Sequence, residues 1–186
     1  MKIGLLVGSL RRDSYSKKIA NAIKGFSSGN VKFEDVEIGD LEIFNQDFDD
    51  DGTVPSSWVD FRKSITSYDG FIFVTPEYNR SVPAVLKNAL DIASRPWGHN
   101  VWNGKPAAVV SVSIGAIGGF GANHHLRQTL AFLNIPTMAQ PEAYIGNVTS
   151  LLDENGNLNN EDTKQYIQSI VISFISFAEK NKQINN

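Results

Sequence analysis

Apolar and polar positions follow two rhythms along this chain. Ile3 to Val7 is a short unbroken apolar run closed by Gly8-Ser9, the pattern of a strand buried on both faces. After it, Tyr15, Ile19, Ala20, Ile23 and Phe26 recur at helical spacing, with Ser14 placed to cap the helix and Ser27-Ser28-Gly29-Asn30 to stop it. Val31 to Ile38 alternates apolar with polar residues, which predicts a strand near a sheet edge. Trp58, Phe61, Ile65 and Tyr68 mark a second helix opened by Pro55-Ser56-Ser57. Phe71 to Val74 is the next buried strand. Val82-Pro83 then opens a helix whose Val85, Leu86, Ala89, Leu90 and Ala93 face inward. Ala107 to Val112 is a fourth strand, Leu126 to Leu133 lies on a helix, and Pro136 to Tyr144 is a weaker fifth strand. Tyr166, Ile167, Ile170, Val171, Phe174 and Ile175 mark a C-terminal helix.

Five strands alternating with five helices predict an α/β fold, an open parallel sheet with helices on both faces. No internal repeat or linker divides the chain, so one domain is expected over residues 1–186. Asn45 to Gly52 and the Asn-rich segment near Gly156 read as loops. Composition narrows the picture further. A chain of 186 residues buries a core large enough to need no staple. It contains no cysteine, which excludes disulfides, thiolate metal sites and thiol redox chemistry. A net charge of -3 argues against nucleic-acid and membrane binding. The apolar run after Met1-Lys2 is too short for a signal-peptide core, and no stretch reaches the roughly 20 residues of a membrane span, so a cytoplasmic location is expected.

In such sheets ligands sit beyond the carboxyl ends of the strands, where the strand order reverses. Three loops there carry unusual chemistry. The first, GSLRRDSYS from Gly8 to Ser16, supplies hydroxyls at Ser9, Ser14 and Ser16, a guanidinium at Arg11 and a helix start, a set suited to a phosphate monoester. It is neither a G-x-x-x-x-G-K-[ST] loop nor a dinucleotide fingerprint, since Gly4 and Gly8 are wrongly spaced. The second, TPEYNRSVP from Thr75 to Pro83, can lay backbone N–H groups along a flat polar heterocycle with side chains at its rim. The third, Ser111 to Gly121, has glycines at 115, 118 and 119 that permit close backbone approach.

Together these loops resemble the NADPH-dependent FMN reductase family, whose members include quinone, azo-dye and chromate reductases. The matching stretches are GSLRRDSYSKKIANAI (Gly8 to Ile23), TPEYNRSVPAVLKNALDIASRP (Thr75 to Pro96), the GAIGG run (Gly115 to Gly119) and IFNQDFDDD after the second strand. The resemblance implies a flavodoxin-like sheet of order 2-1-3-4-5 and non-covalent FMN. NADPH or NADH would be the hydride donor, and a quinone, azo compound, flavin or metal oxyanion the acceptor. It places Ser9, Arg11, Ser14 and Ser16 on the FMN phosphate with Tyr15 beside them. Pro76, Glu77, Tyr78, Asn79 and Arg80 would border the ring, and Ser113 with Gly115 would approach it from the next strand. It also implies a homodimer or homotetramer, with a partner-chain role for Tyr78, Arg80 and the acidic segment Asn45 to Asp51.

No side chain is expected to act as catalytic acid, base or metal ligand. His124 and His125 are neighbours on a helix and point apart, so they form no i, i+4 metal pair. Trp97 and Trp102 fit core or interface packing better than the wall of a flavin pocket. The competing reading is a flavodoxin-type electron carrier that binds FMN without turning over nicotinamide, although such carriers are usually more acidic than this chain.

Overall fold

The computed structural model describes residues 1–27 and 29–184, with side chains to Asn181; Ser28, part of the expected helix stop, lies outside the described residues. The strands are β1 (Lys2–Val7), β2 (Lys32–Asp35), β3 (Gly70–Thr75), β4 (Ala107–Val112) and β5 (Ala143–Ile145). The helices are α1 (Tyr15–Lys24), the one-turn α2 (Asp47–Asp50), α3 (Ser56–Thr66), α4 (Ala84–Ala93), α5 (Phe120–Phe132) and α6 (Glu161–Ile184). All pairings are parallel and the order is β2-β1-β3-β4-β5, the flavodoxin-like order implied by the resemblance.

Alternate residues of the central strands enter two cores. Ile3, Leu5, Ile72, Val74, Ala108 and Val110 pack with α1 and α6 on one face. Leu6, Phe71, Phe73, Ala107 and Val109 pack with α3, α4 and α5 on the other. That double burial is why β1, β3 and β4 read as continuous apolar runs. The edge strand is different. Phe33 enters the first core, whereas Val36 and Ile38 enter the second, so the apolar set changes face between 33 and 36. The ladder ends at Asp35 accordingly, and the expected strand to Ile38 is shortened, although the Val36 N–H still bonds the Leu5 carbonyl at 2.9 Å.

Two further expectations change. The fifth strand covers Ala143–Ile145 rather than Pro136 to Tyr144. Pro136 and Met138 exchange bonds with Ala107 of β4, but Pro136 and Pro141 lack N–H groups and break the ladder between them. The acidic segment is no plain loop. Asn45 Oδ1, just ahead of the one-turn α2, accepts from the Asp47 N–H at 3.1 Å, and Phe48 packs edge-on against Trp58. Asp49 takes a bidentate pair of 2.8 Å bonds from Arg62, whose Nε also bonds the Ile92 carbonyl. Asp49 therefore has its partner inside the chain. Asn88 of α4 ties the preceding stretch down, accepting from the Phe44 N–H and donating to the Leu41 and Glu42 carbonyls.

Candidate functional site at three adjacent strand tips

Because β1, β3 and β4 are neighbours and parallel, the loops after them emerge side by side, within about 10 Å across the sheet. The loops also touch. A methyl group built on Gly8 would lie 3.3 Å from both Pro76 and Thr75, so the first and second loops abut. One on Gly119 would lie 3.6 Å from Glu77, so the second and third abut as well.

The first loop leads into α1 and is arranged for an anion. Ser14 caps the helix: its hydroxyl accepts from the Lys17 N–H at 3.2 Å, and its carbonyl accepts from Lys18 at 3.1 Å. The N–H groups of Tyr15 and Ser16 then have no acceptor among the described residues. No acidic residue lies in the first turn to offset the positive end of the helix dipole. Ser9 and Ser16 are buried residues, yet neither hydroxyl has a partner among the described residues. No buried side-chain oxygen there is left unsatisfied, so both hydroxyls open toward the surface. Arg11 is exposed at the mouth of the loop. A cavity of about 250 Å³ opens beside this loop, lined by Ser9, Leu10, Lys17, Asp35 and Gly39 among others.

These two serines separate structure from binding. Ser14→Ala should lower the unfolding free energy of the ligand-free protein by about 1 kcal/mol through loss of the cap. Ser16→Ala should stay within about 0.5 kcal/mol, both read from urea midpoints. An equal loss in the two variants would mean that Ser16 also carries a structural bond.

The second loop is a tight hairpin turn. Tyr78 and Ser81 exchange both backbone bonds, at 3.1 and 3.0 Å. Asn79 and Arg80 between them have φ of +50° and +63°, the signature of a type I′ turn. Asn is at home there; Arg is not, and such strain gathers at binding loops. The N–H groups of Asn79 and Arg80 have no acceptor among the described residues, and both side chains reach solvent together with Tyr78. Pro76 is half-buried at the strand end. Glu77 alone turns inward: its carboxylate accepts from the Ala122 N–H at the start of α5.

In the third loop the half-buried Ser113 accepts the Gly115 N–H at 3.0 Å, while Ile114 to Ile117 are exposed. Gly118 and Gly119, at φ +61° and +75°, turn the chain into α5, which starts at Phe120 and carries the expected helical residues from His124 onward. A side chain on Gly118 would strike Tyr144 at 2.8 Å.

The histidines and tryptophans have separate roles. His124 Nε2 lies 3.0 Å from the Tyr144 hydroxyl, which donates to Glu142 at 2.8 Å. Burial, then that hydrogen bond and the carboxylate's charge, push the Tyr144 phenol up to about 12. The Tyr144 oxygen thus keeps its proton and donates it in the bond to Glu142, so a hydrogen bond from His124 calls for a proton on Nε2. His125 contacts Ser81 of the second loop at 3.0 Å. Trp102 is core, donating to the Leu90 carbonyl, whereas Trp97 is 77% exposed. No group of three or more metal-binding side chains is found among the described residues.

Two structural features of these loops escape the sequence: the inward carboxylate of Glu77, and Gly121, where a methyl group would lie 2.9 Å from the Arg80 carbonyl oxygen and from the Glu77 carboxylate. Neither has a sequence signal, because each depends on a neighbour at least 40 residues away.

Residues 1–150 match the family model for NADPH-dependent FMN reductase. A quinone reductase from Pseudomonas putida is 48% identical over 182 residues, covering 98% of this chain and 97% of that protein. A 2-hydroxy-1,4-benzoquinone reductase from a Burkholderia species is 46% identical over 182 residues, with 98% of each covered. Among solved structures, the flavoenzyme NAD(P)H:(acceptor) oxidoreductase FerB from Paracoccus denitrificans superposes with a TM-score of 0.89 at 37% identity, covering 97% of this chain and 98% of that one.

Proposed function

The chain belongs to the NADPH-dependent FMN reductase family, and from that premise we propose that it reduces small acceptors, quinones first among them, with NAD(P)H through non-covalently bound FMN. The observation that carries this reading is the first loop: among the described residues the Ser9 and Ser16 hydroxyls and the N–H groups of Tyr15 and Ser16 have no partner, beside a helix start with no acid in its first turn. That donor set fits a phosphate monoester dianion.

Bound FMN supplies the hydride chemistry itself; the protein supplies position and electrostatics. Ser9, Ser16 and the N–H groups of Tyr15 and Ser16 would bind the phosphate, with Arg11 closing over it and Ser14 holding the helix start in place. Pro76, Tyr78, Asn79 and Arg80 would border the ring on one side and Ser113 with Gly115 on the other. With FMN bound, the N–H dipoles of the second and third loops, already fixed in place, would favour negative charge on the ring. No side chain serves as nucleophile, acid or base. Exposed apolar residues at the rim, Ile114, Ile117 and Tyr78, suit a planar apolar acceptor such as a quinone.

The reading includes a homodimer or homotetramer. Trp97 and Phe132, which line one pocket, and Ile43 and Val59 are large apolar side chains left largely in water by a single chain. Sedimentation as a monomer would refute that part. Among the described residues no helix is long and apolar enough to cross a membrane.

The decisive experiment is an absorbance spectrum of the purified protein before and after anaerobic NADPH. A bound-flavin spectrum that bleaches is expected; a colourless protein that takes up no added FMN would overturn the cofactor assignment. A flavin that NADPH leaves oxidised would overturn the reductase assignment instead.

A further inference from the structure

We propose that Glu77 is a positioning residue, a latch that joins the loop after β3 to the start of α5 so that the two ring-side loops behave as one rigid piece. The inference rests on the FMN reading for its functional consequence, though the latch itself is a property of the chain.

Helix α5 lacks a cap of its own. Its N-cap is Gly119, no side chain bonds its first turn from within, and that turn contains no acid. Glu77, more than 40 residues earlier, supplies both missing elements. One carboxylate oxygen accepts the Ala122 N–H at 3.0 Å, and the negative charge sits at the positive end of the helix. The other oxygen receives Arg80 Nη1 at 3.3 Å. The Glu77 side chain is only 11% exposed, while that of Arg80 is 76% exposed. A surface loop acid would be solvated like its neighbours Tyr78, Asn79 and Arg80; this one is folded under them.

Two further contacts close the joint. Gly121 runs so close beneath the turn that no side chain fits: a methyl group would lie 2.9 Å from the Arg80 carbonyl oxygen and from Glu77 Oε2. On the far side of the turn, Ser81 Oγ meets His125 Nδ1 one helical turn along α5, at 3.0 Å. The Tyr78–Ser81 turn, with its two left-handed residues, is therefore held to the helix before and after its tip. Holding those loops in register before any ligand arrives reduces the ordering that binding must otherwise accomplish.

Hydrogen–deuterium exchange on the FMN-free full-length protein tests the latch without the cofactor. In Glu77→Ala, exchange should rise about tenfold in both the Tyr78–Ser81 and Gly119–Asn123 segments, with the start of α1 unchanged. FMN affinity should fall about tenfold in parallel. Glu77→Gln keeps an acceptor for the Ala122 N–H and should restore both measurements to within about threefold of the parent. Gly121→Ala should mimic Glu77→Ala by wedging the same joint from the helix side. Parental exchange in either segment of Glu77→Ala would overturn the proposal. So would an equal loss of FMN affinity in Glu77→Gln and Glu77→Ala, since that would give the charge a direct role instead. A parent that binds no FMN would sink the cofactor reading alone, and the exchange rates would still decide the latch.

Discussion

Asn123→Ala is expected to lower the unfolding free energy by about 3 kcal/mol, a large share of the 5–15 kcal/mol that holds a typical domain together. Asn123 is fully buried on α5 and bonds in three directions. Its amide nitrogen donates to Ser111 Oγ at 3.2 Å and to the Ala143 carbonyl at 3.3 Å, joining β4 to β5. Its carbonyl oxygen accepts from Arg127 Nε at 2.8 Å, and Arg127 Nη1 reaches the Met138 carbonyl at 2.9 Å. Alanine removes the donor and the acceptor together: Arg127 Nε loses its acceptor, and Ser111 and Ala143 are left only their weak 3.4 Å bond to each other, in a site that water reaches poorly. An unsatisfied buried group costs about 1–3 kcal/mol, so the losses accumulate. Asn123→Asp should do no better. It keeps the bond to Arg127 but loses the donors and turns an oxygen toward the Ala143 carbonyl. Urea unfolding reads both variants, with the exposed neighbour Gln128→Ala, within about 0.5 kcal/mol of the parent, as the control. A loss below about 1 kcal/mol for Asn123→Ala would mean that water replaces the amide and that the network is not a structural joint.

That network also marks where the sequence stops being legible. The central strands could be read because burial on both faces makes Ile3 to Val7, Phe71 to Val74 and Ala107 to Val112 apolar at every position, a pattern that needs no knowledge of the partner. Ser14 could be read as a cap because it bonds a residue three positions away. The features that escaped share one property: their cause lies elsewhere in the chain. The alternation of the β2 segment suggests one half-buried strand, yet Phe33 and Val36, three positions apart and so on opposite faces, are both buried because helices cover both sides of the sheet. The start of helix α5 at Phe120 has no capping residue of its own to mark it, because the acceptor for its first turn comes from Glu77. The acidic segment looked like solvated loop because the Arg62 that neutralises Asp49 arrives from α3. In the site itself, the three loops could be found from their residue types, but the contacts between them could not.

Arg11→Ala should weaken FMN binding by roughly 10- to 100-fold, the equivalent of about 1.5–3 kcal/mol for one charge-assisted contact. Among the described residues Arg11 has no hydrogen-bonded acid. Nearby Asp13 takes its ion pair from Lys18 at 2.8 Å, and that bond, with the Lys18 charge and a smaller contribution from Arg11, holds its carboxyl below the ordinary range. The guanidinium is therefore available to a ligand without first breaking a salt bridge, which is what makes its removal costly for binding and nearly neutral for stability. Three comparisons isolate the contact. Riboflavin, which lacks the phosphate, should bind parent and variant equally. Arg11→Lys keeps the charge but not the planar fork, so its affinity should fall between the two. Arg12→Ala, equally exposed, should change affinity by less than about threefold. Raising the salt concentration should narrow the gap between parent and Arg11→Ala, since an exposed charge pair is screened over roughly 10 Å at 0.1 M. If Arg11→Ala bound FMN as tightly as the parent, or lost riboflavin to the same degree, the phosphate would have to sit somewhere other than the start of α1. The buried serines with open hydroxyls would then need another ligand to explain them.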